Sequence, residues 1–506
     1  MSVQLAPTRT AGPREWAALA VLMLPVLMVS VDNTVLSFAL PSISLDLRPS
    51  GTQLLWIVDI YAIMLAGLLI AMGSIGDRVG RRRLLLIGSV GFAAASLLAA
   101  FSTSAEMLLA ARLLLGVFGA TLMPSTLSLI RNVFENPRDR RIAIATWAAM
   151  FSGGAALGPI VGGWLLGHFA WGAVFLINVP IVVALIPLAL ALLPESRDPE
   201  PGPLDGLAIA LSLVTMLPFV YGIKNLAKHG LDDVTLTAFA LAVLAGWSLV
   251  RRLRASAHPM IDLTLFRNRV FTGAIVANLL SLMALTGFLF LGAQLLQLVL
   301  GLSPMDAALV LLPGLTVTVV SGFVAVRLMQ VFSVRALVSG SFTASAVGYA
   351  VMALVGVPTV ASVAIAFALM GVGIGLAETI TNDLMLSSVP SSKAGAASAI
   401  SETAYEIGAV MGTAVLGAVL TAVYRAELTF PAIAAWGEKE GAFETLGGTL
   451  GVADQYESGR YGAPIGEAIR ESAHAAFDLG VQTTSAVAIA VALGAALVSW
   501  RTLRDA

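Results

Sequence analysis

Gly73-Ser74-Ile75-Gly76-Asp77-Arg78-Val79-Gly80-Arg81-Arg82-Arg83 is a short basic turn between two long apolar stretches. Arginines crowded beside a membrane span hold a turn on the cytoplasmic side. The glycines let two helices turn tightly and approach closely, and Asp77 can cap a helix or pair with an arginine. The arginines alone would indicate only a topology anchor. The complete pattern G-x-x-x-D-R-x-G-R-R-R is far more specific.

The rest of the chain has the composition of a membrane protein. Hydrophobic residues make up 58% and charged residues 12%, against about 45–50% and 25% in soluble proteins. A span needs roughly 20 apolar residues, and only helices satisfy the backbone in lipid over such lengths. Because barrel strands are about ten residues long, they are excluded. The sequence therefore predicts an all-α polytopic membrane protein. Its fourteen apolar windows lie near 16–40, 53–75, 84–104, 107–130, 142–167, 169–193, 204–223, 233–250, 270–300, 305–326, 336–356, 358–383, 396–424 and 477–500.

The distribution of basic residues predicts the orientation. With the N-terminus inside, inner segments hold 21 of the 29 basic residues, and seven, including Lys224, fall in outer segments. Only Arg112 then lies within a span. Both termini are therefore expected in the cytoplasm, and a bacterial cytoplasmic (inner) membrane is the expected location. A net charge of −1 argues against nucleic acid as a partner.

Polar connections divide the chain into three parts. Residues 1–193 are expected to form an N-terminal six-helix bundle, and 270–506 a C-terminal one. A proline-rich linker and two inserted spans occupy 194–269. We expect the inserted windows, 204–223 and 233–250, to face lipid and to carry no buried charge.

One outer segment, 425–476, is long and acidic, with eight carboxylates against four basic residues. A solvated loop is the expected structure. A part-helical lid over the outer mouth is the alternative.

Three charged side chains within spans are functional candidates, because charge in lipid is costly. Asp32, in the outer half of span one, is a candidate to take up and release protons. Asp59 lies nearer the outer end of span two, where a wet position at a cavity rim is expected. Arg112 stays charged and needs a carboxylate or carbonyl partner, for which Asp32 is the natural candidate. A structural hydrogen bond to a neighbouring helix is the alternative for Asp32, and a structural role is the alternative for Asp59.

Two acids in the thirteenth window, Glu402 and Glu406, are four residues apart and share one helix face. We expect them to point into a cavity, although one of them could be interfacial. Glu378 and Asp383, in the preceding span, are weaker candidates. Acids with aromatic neighbours attract cations without demanding one shape. The predicted cation-binding residues are therefore Asp59, Glu402, Glu406, Trp56, Tyr61 and Tyr405.

The fifth span contains Gly154-Ala155-Ala156-Leu157-Gly158-Pro159-Ile160-Val161-Gly162-Gly163. Glycines at four-residue spacing form a smooth stripe for close helix contact, and Pro159 favours a bend. The stripe alone is common in membranes, whereas its combination with Gly158-Pro159 is specific. We predict a hinge at Gly154, Gly158, Pro159 and Gly162.

These motifs together resemble those of the fourteen-span drug:proton antiporters of the major facilitator superfamily. The resemblance covers essentially the whole chain. It rests on Asp32-Asn33-Thr34-Val35 through Pro41, on the turn 73–83, on Arg112 with Gly116, on 154–163, and on Phe175-Leu176-Ile177-Asn178-Val179-Pro180.

The resemblance implies two six-helix bundles, alternating access, and export of lipophilic cations driven by proton influx, without a cofactor. Such substrates include quaternary ammonium biocides, dyes and fluoroquinolones, and a monomer is expected. By matched position, Asp32 would carry the proton and Arg112 regulate it, with Asp59 as a further proton-coupling candidate. The inner latch would comprise Gly73, Gly76, Asp77, Arg78, Gly80 and Arg81. The corresponding C-terminal turn is degenerate here, which suggests asymmetric inner gating.

Other classes of protein fit the sequence less well. It contains neither a G-x-x-x-x-G-K-[ST] loop nor a G-x-S-x-G elbow, and its four histidines lack metal-ligand spacing. An enzyme and a metal site are therefore not expected. An exporter of a specific lipid, peptide or siderophore-like metabolite is the alternative, because fold does not determine substrate. A receptor or scaffold would not need several intramembrane acids.

Overall fold

The structure is a computed structural model that describes residues 10–197, 205–256, 259, 261–356, 358–389, 394–429, 444–458 and 463–503. Most of the proline-rich linker and the middle of the acidic outer segment lie outside these residues. The described helices are α1 (Pro13–Leu47), α2 (Gly51–Val79), α3 (Arg81–Ala100), α4 (Ala105–Val133), α5 (Pro137–His168), α6 (Ala173–Leu176), α7 (Asn178–Leu192), α8 (Gly206–His229), α9 (Asp233–Ala255), α10 (Arg269–Gln294), α11 (Pro304–Leu328), α12 (Val334–Leu354), α13 (Val360–Ser387), α14 (Ala394–Met411), α15 (Ala418–Glu427), α16 (Leu446–Ser458) and α17 (Ala463–Thr502).

The helices follow the apolar windows closely. Among the described residues, thirteen helices are long and apolar enough to cross a membrane, and α5 covers the remaining window, 142–167. The predicted all-α polytopic fold is confirmed. Two spans contain π-helical turns, Leu295–Val299 after α10 and Gly412–Gly417 between α14 and α15. Such turns are often found at functional sites.

The outer ends of the early and late helices, as placed by the charge bias, are in contact. A Cβ added at Gly51, the first residue of α2, would lie 2.8 Å from Cγ2 of Thr421 in α15. One added at Gly163 in α5 would lie 2.9 Å from Cα of Met305 in α11. These glycines allow a close approach that a larger side chain would prevent. The early and late helices are therefore in close contact at two seams, α2 with α15 and α5 with α11, at the ends that the charge bias places outside.

Part of the acidic outer segment differs from the expected solvated loop. The described residues 444–453 are all buried, and α16 and α17 form much of the remainder. The backbone N–H of Gly51 donates to Oε2 of Glu444 at 2.9 Å, and a Cβ on Gly447 would lie 1.9 Å from Oγ of Ser44 in α1. The acidic charge of the whole segment does not predict this packing. The glycine-rich stretch 446–451 carries no charge, and it fits closely onto α1. The described residues of this segment are therefore largely helical and partly buried.

The inserted helices α8 and α9 present many apolar side chains outward, including Leu207, Phe219, Leu244 and Trp247. Exposure of this kind is typical of a lipid-facing pair. The expectation that they carry no buried charge is wrong, because α8 continues past the window to His229 and carries Lys224, which is 2% exposed.

Candidate functional site

The centre of the site is a buried ion pair between α1 and α4. Nη1 of Arg112 donates to Oδ2 of Asp32 at 2.7 Å, and the two side chains are 2% and 0% exposed. Nε of Arg112 donates to the carbonyl of Ile57 at 3.1 Å. The guanidinium lies 4.3 Å from the centroid of the Tyr61 ring. Asp32, the partner expected for Arg112 from the sequence, is therefore its partner in the structure.

Asn178, at the start of α7, completes this site. Its Nδ2 lies 3.5 Å from Oδ1 of Asp32 and donates to Oγ of Ser96 at 3.1 Å. A fully buried asparagine needs such partners, because an unpaired amide is costly in an apolar interior. Asn178 lies in the motif Phe175-Leu176-Ile177-Asn178-Val179-Pro180, but no role was predicted for it; its position inside an apolar span was the available signal.

The acidic face of α14 lies beside this ion pair. Glu406 is 5% exposed, and the side chain of Asn33, the residue after Asp32, lies within hydrogen-bonding reach of its carboxylate. Glu402, one turn earlier, is half-buried. The salt bridges among the described residues do not include either glutamate. A cation that reached this face would therefore meet two carboxylates that form no ion pair with any residue in the described part of the chain.

Aromatic rings line the same region. The Tyr405 ring on α14 meets Phe151 of α5 edge to face at 5.7 Å, and Phe151 stacks on Trp147 at 6.2 Å. Glu378 of α13 and Glu406 both lie close to Tyr405. Tyr405 was predicted to contact cations, whereas Trp147 and Phe151 were missed because an aromatic residue in an apolar span has no distinguishing local pattern.

Asp59 does not occupy the wet rim expected from the sequence. It is buried, and its Oδ2 lies 2.9 Å from Nζ of Lys224 in α8, with both side chains 1% exposed. The ammonium also lies 4.1 Å from the centroid of the Trp56 ring. Asp59 and Trp56 therefore contact a cation of the protein itself. The error arose because Lys224 falls just past an apolar window, where it was counted as an outer-loop residue.

The basic turn is held by a residue from the segment after α7. Oε1 and Oε2 of Glu195 accept hydrogen bonds from the backbone N–H groups of Arg82 and Arg83 at 3.1 and 3.2 Å. Gly80 has φ +113°, and a Cβ there would lie 2.7 Å from Oε1 of Glu195. Only glycine fits this conformation and this spacing. Glu195 was not singled out from the sequence, although it lies in a segment placed on the same side as the arginines.

Within the turn, Asp77 pairs with Arg81 one helical turn later, at 2.8 Å from Oδ1 to Nη2. A Cβ at Gly76 would lie 3.2 Å from Cδ2 of Leu84, whereas one at Gly73 would meet only an ordinary contact. Arg78 is exposed. Among the predicted latch residues, Gly76 and Gly80 are therefore closely packed, whereas Arg78 faces solvent.

The glycine stripe of α5 packs on α1, the helix that carries Asp32. A Cβ at Gly154 would lie 2.0 Å from Oγ of Ser30, and one at Gly158 would lie 1.9 Å from Oγ1 of Thr34. One at Gly162 would lie 2.8 Å from Cγ2 of Val35. Pro159 lies within the helix on the same stretch. This arrangement puts the predicted hinge in direct contact with the turns of α1 on either side of Asp32.

Comparison with known proteins agrees with this geometry. Residues 22–413 match the sequence model of the Major Facilitator Superfamily. The chain is 51% identical to the multidrug efflux pump LfrA of Mycolicibacterium smegmatis, over 97% of both chains. It is 38% identical to the methyl viologen resistance protein SmvA of Salmonella typhimurium, over 83% of this chain and 85% of the relative.

A similar fold occurs in the inward-facing, unoccupied crystal structure of a bacterial homolog of the human lysosomal transporter Spinster. The TM-score is 0.65 at 17% identity, covering 97% of this chain and 99% of that one. The family match, the two relatives and the apolar helices all agree. The chain therefore belongs to the Major Facilitator Superfamily of multi-pass membrane transporters, which are not enzymes.

Proposed function

We propose that the protein exports lipophilic, mainly cationic drugs in exchange for protons, by alternating access. Quaternary ammonium biocides, dyes and fluoroquinolones are the proposed substrates. The similarity to a multidrug efflux pump and to a methyl viologen resistance protein supports drug export, and methyl viologen is an organic dication. We place the protein as a monomer in the bacterial cytoplasmic membrane with both termini inside, on the basis of its basic-residue bias.

The observation that carries this proposal is the ion pair of Asp32 and Arg112. An ionised Asp32 binds the guanidinium, whereas a proton on the carboxylate removes its charge and weakens the contact. Arg112 then depends on its remaining partners, the Ile57 carbonyl and the Tyr61 ring. Because a buried guanidinium cannot stay unpartnered, protonation of Asp32 would favour a different arrangement of α1 and α4. Proton binding would thereby change the relative populations of two conformations.

The acidic face of α14 supports the cationic preference. Glu406 meets α1 at Asn33, so the proposed drug site and the proposed proton site adjoin at neighbouring residues of one helix. The ring of Tyr405 next to Phe151 offers an aromatic surface to the same cation. A ring face adds roughly 0.5–2 kcal/mol to the binding of a desolvated cation. Attraction of this kind is not directional, so it tolerates many drug shapes.

The proposal is tested by drug-driven proton movement in proteoliposomes. An outward proton flux that appears on drug addition and disappears with an uncoupler is expected of the wild type. Asp32→Asn should abolish the flux while the protein stays folded. Asp454→Asn is the matched control, because Asp454 forms an exposed pair with Arg470 and such pairs contribute little. Full proton flux in Asp32→Asn would contradict the proposed coupling.

A further inference from the structure

The Asp59–Lys224 ion pair lies where three parts of the chain meet. Asp59 belongs to α2, and Lys224 to the inserted helix α8. The side chain of Thr413, in the π-helical turn Gly412–Gly417, lies close to the Asp59 carboxylate. The inserted helix thus reaches into the contact between an early and a late helix, instead of packing only on the outside.

Lys224 also lies beside the outer seam between α2 and α15. A narrow cavity of about 10 Å³ there is lined by Thr52 and Leu55 of α2, Thr421 of α15 and Lys224 itself. This is the seam at which Gly51 meets Thr421. In a transporter that works by alternating access, this seam has to part when the outer side opens.

The surroundings of the pair connect its strength to closure of the seam. Both side chains are 1% exposed, and a buried pair attracts far more strongly than a hydrated one. Entry of water on opening would weaken the attraction. The pair joins α2 to α8 at 2.9 Å, so a movement that parts these helices also separates the charges. The pair therefore favours the closed state over the open one.

We propose that Lys224 is a positioning residue of the outer gate, and that it makes the inserted helix α8 part of the transport machinery. While the outer side is closed, Lys224 fills the cation site formed by Asp59 and the Trp56 ring. When the seam parts, the pair separates. This role for Asp59 replaces the proton-coupling and drug-binding roles expected from the sequence. The inference rests on alternating access in the proposed function.

The test measures opening of the seam without any drug. The chain has no cysteine, so Thr421→Cys introduces a single thiol at the seam, to be labelled from outside with an impermeant maleimide. Lys224→Met should label at least about tenfold faster, because the loss of one partner of a buried pair shifts an equilibrium by more than a factor of ten. Arg252→Met is the matched control, because it removes an ion pair of the inserted helices with Asp205 at their inner end. Its labelling rate should equal that of the wild type.

Two double variants keep the test decisive if Lys224→Met is poorly folded. Asp59→Lys with Lys224→Asp restores opposite charges and should return labelling towards the wild-type rate. Asp59→Asn with Lys224→Met leaves no unpaired charge, should label fast, and should still export drug in an uncoupler-sensitive way at a reduced rate. Unchanged labelling in every variant would overturn the gate role, whether or not the protein exports drugs. Loss of uncoupler-sensitive export in the well-expressed neutral double variant would instead show that Asp59 itself takes a proton or a drug.

Discussion

Gly80→Ala offers a quantitative test of how the basic turn is held. Gly80 has φ +113° and ψ 131°, a region that costs other residues about 1–3 kcal/mol. The new methyl group would also lie 2.7 Å from Oε1 and 2.8 Å from Cδ of Glu195, so that carboxylate must move away from the backbone N–H groups of Arg82 and Arg83.

The loss of the Glu195 contacts adds a second contribution. Hydrogen bonds to a charged group contribute roughly 1.5–3 kcal/mol, and we reduce this by about a third because the Glu195 side chain is 29% exposed. We therefore expect Glu195→Ala to destabilise the protein by about 1–2 kcal/mol, and Gly80→Ala by about 2–5 kcal/mol. The double variant Gly80→Ala/Glu195→Ala should be no less stable than Gly80→Ala alone, because the methyl group of the new alanine has already displaced the Glu195 side chain. The coupling energy between the two sites is then about 1–2 kcal/mol.

The assay is unfolding of the purified protein in detergent, with export turnover measured in parallel. Gly153→Ala is the matched control, because a Cβ there meets nothing within 4 Å, and it should neither destabilise the protein nor slow export. If the turn acts as an inner latch, Gly80→Ala and Glu195→Ala should both lower turnover while drug affinity changes little. Additive effects of the two substitutions, or a Gly80→Ala variant as stable as Gly153→Ala, would refute the reasoning.

Three further predictions concern orientation, the latch and charge selectivity. A cysteine at Leu231, 74% exposed, should react with an impermeant reagent from outside, and one at Val331, 77% exposed, only after permeabilisation; the reverse pattern would invert the topology. Asp77→Asn should slow export with a stability change below about 1 kcal/mol, since the pair with Arg81 is partly exposed, and a change confined to drug affinity would favour a substrate role. Glu402→Gln and Glu406→Gln should each reduce resistance to divalent quaternary ammonium compounds more than to matched monovalent ones; equal losses would show that these acids do not select for charge.

The sequence by itself determined the class of the protein and the centre of its site. Membrane spans are read reliably because each must be apolar over a full bilayer thickness, which is a local property of the chain. Asp32 and Arg112 could be paired in advance for a related reason. A guanidinium deep in a span has few possible partners, and Asp32 was a carboxylate in an early span that could meet it.

Only the tertiary structure decided whether charged residues at the ends of the apolar windows are solvated or bound to other parts of the chain. Lys224 lies one residue past its window, and nothing local says that α8 continues or that its ammonium turns inward to Asp59. The burial of Glu444 on α2 and the contacts of Glu195 with Arg82 and Arg83 were equally hidden. Each of these contacts joins residues more than a hundred positions apart. Whether a charge near the end of a span is solvated or buried depends on which helix packs over it, and that is a property of the folded chain.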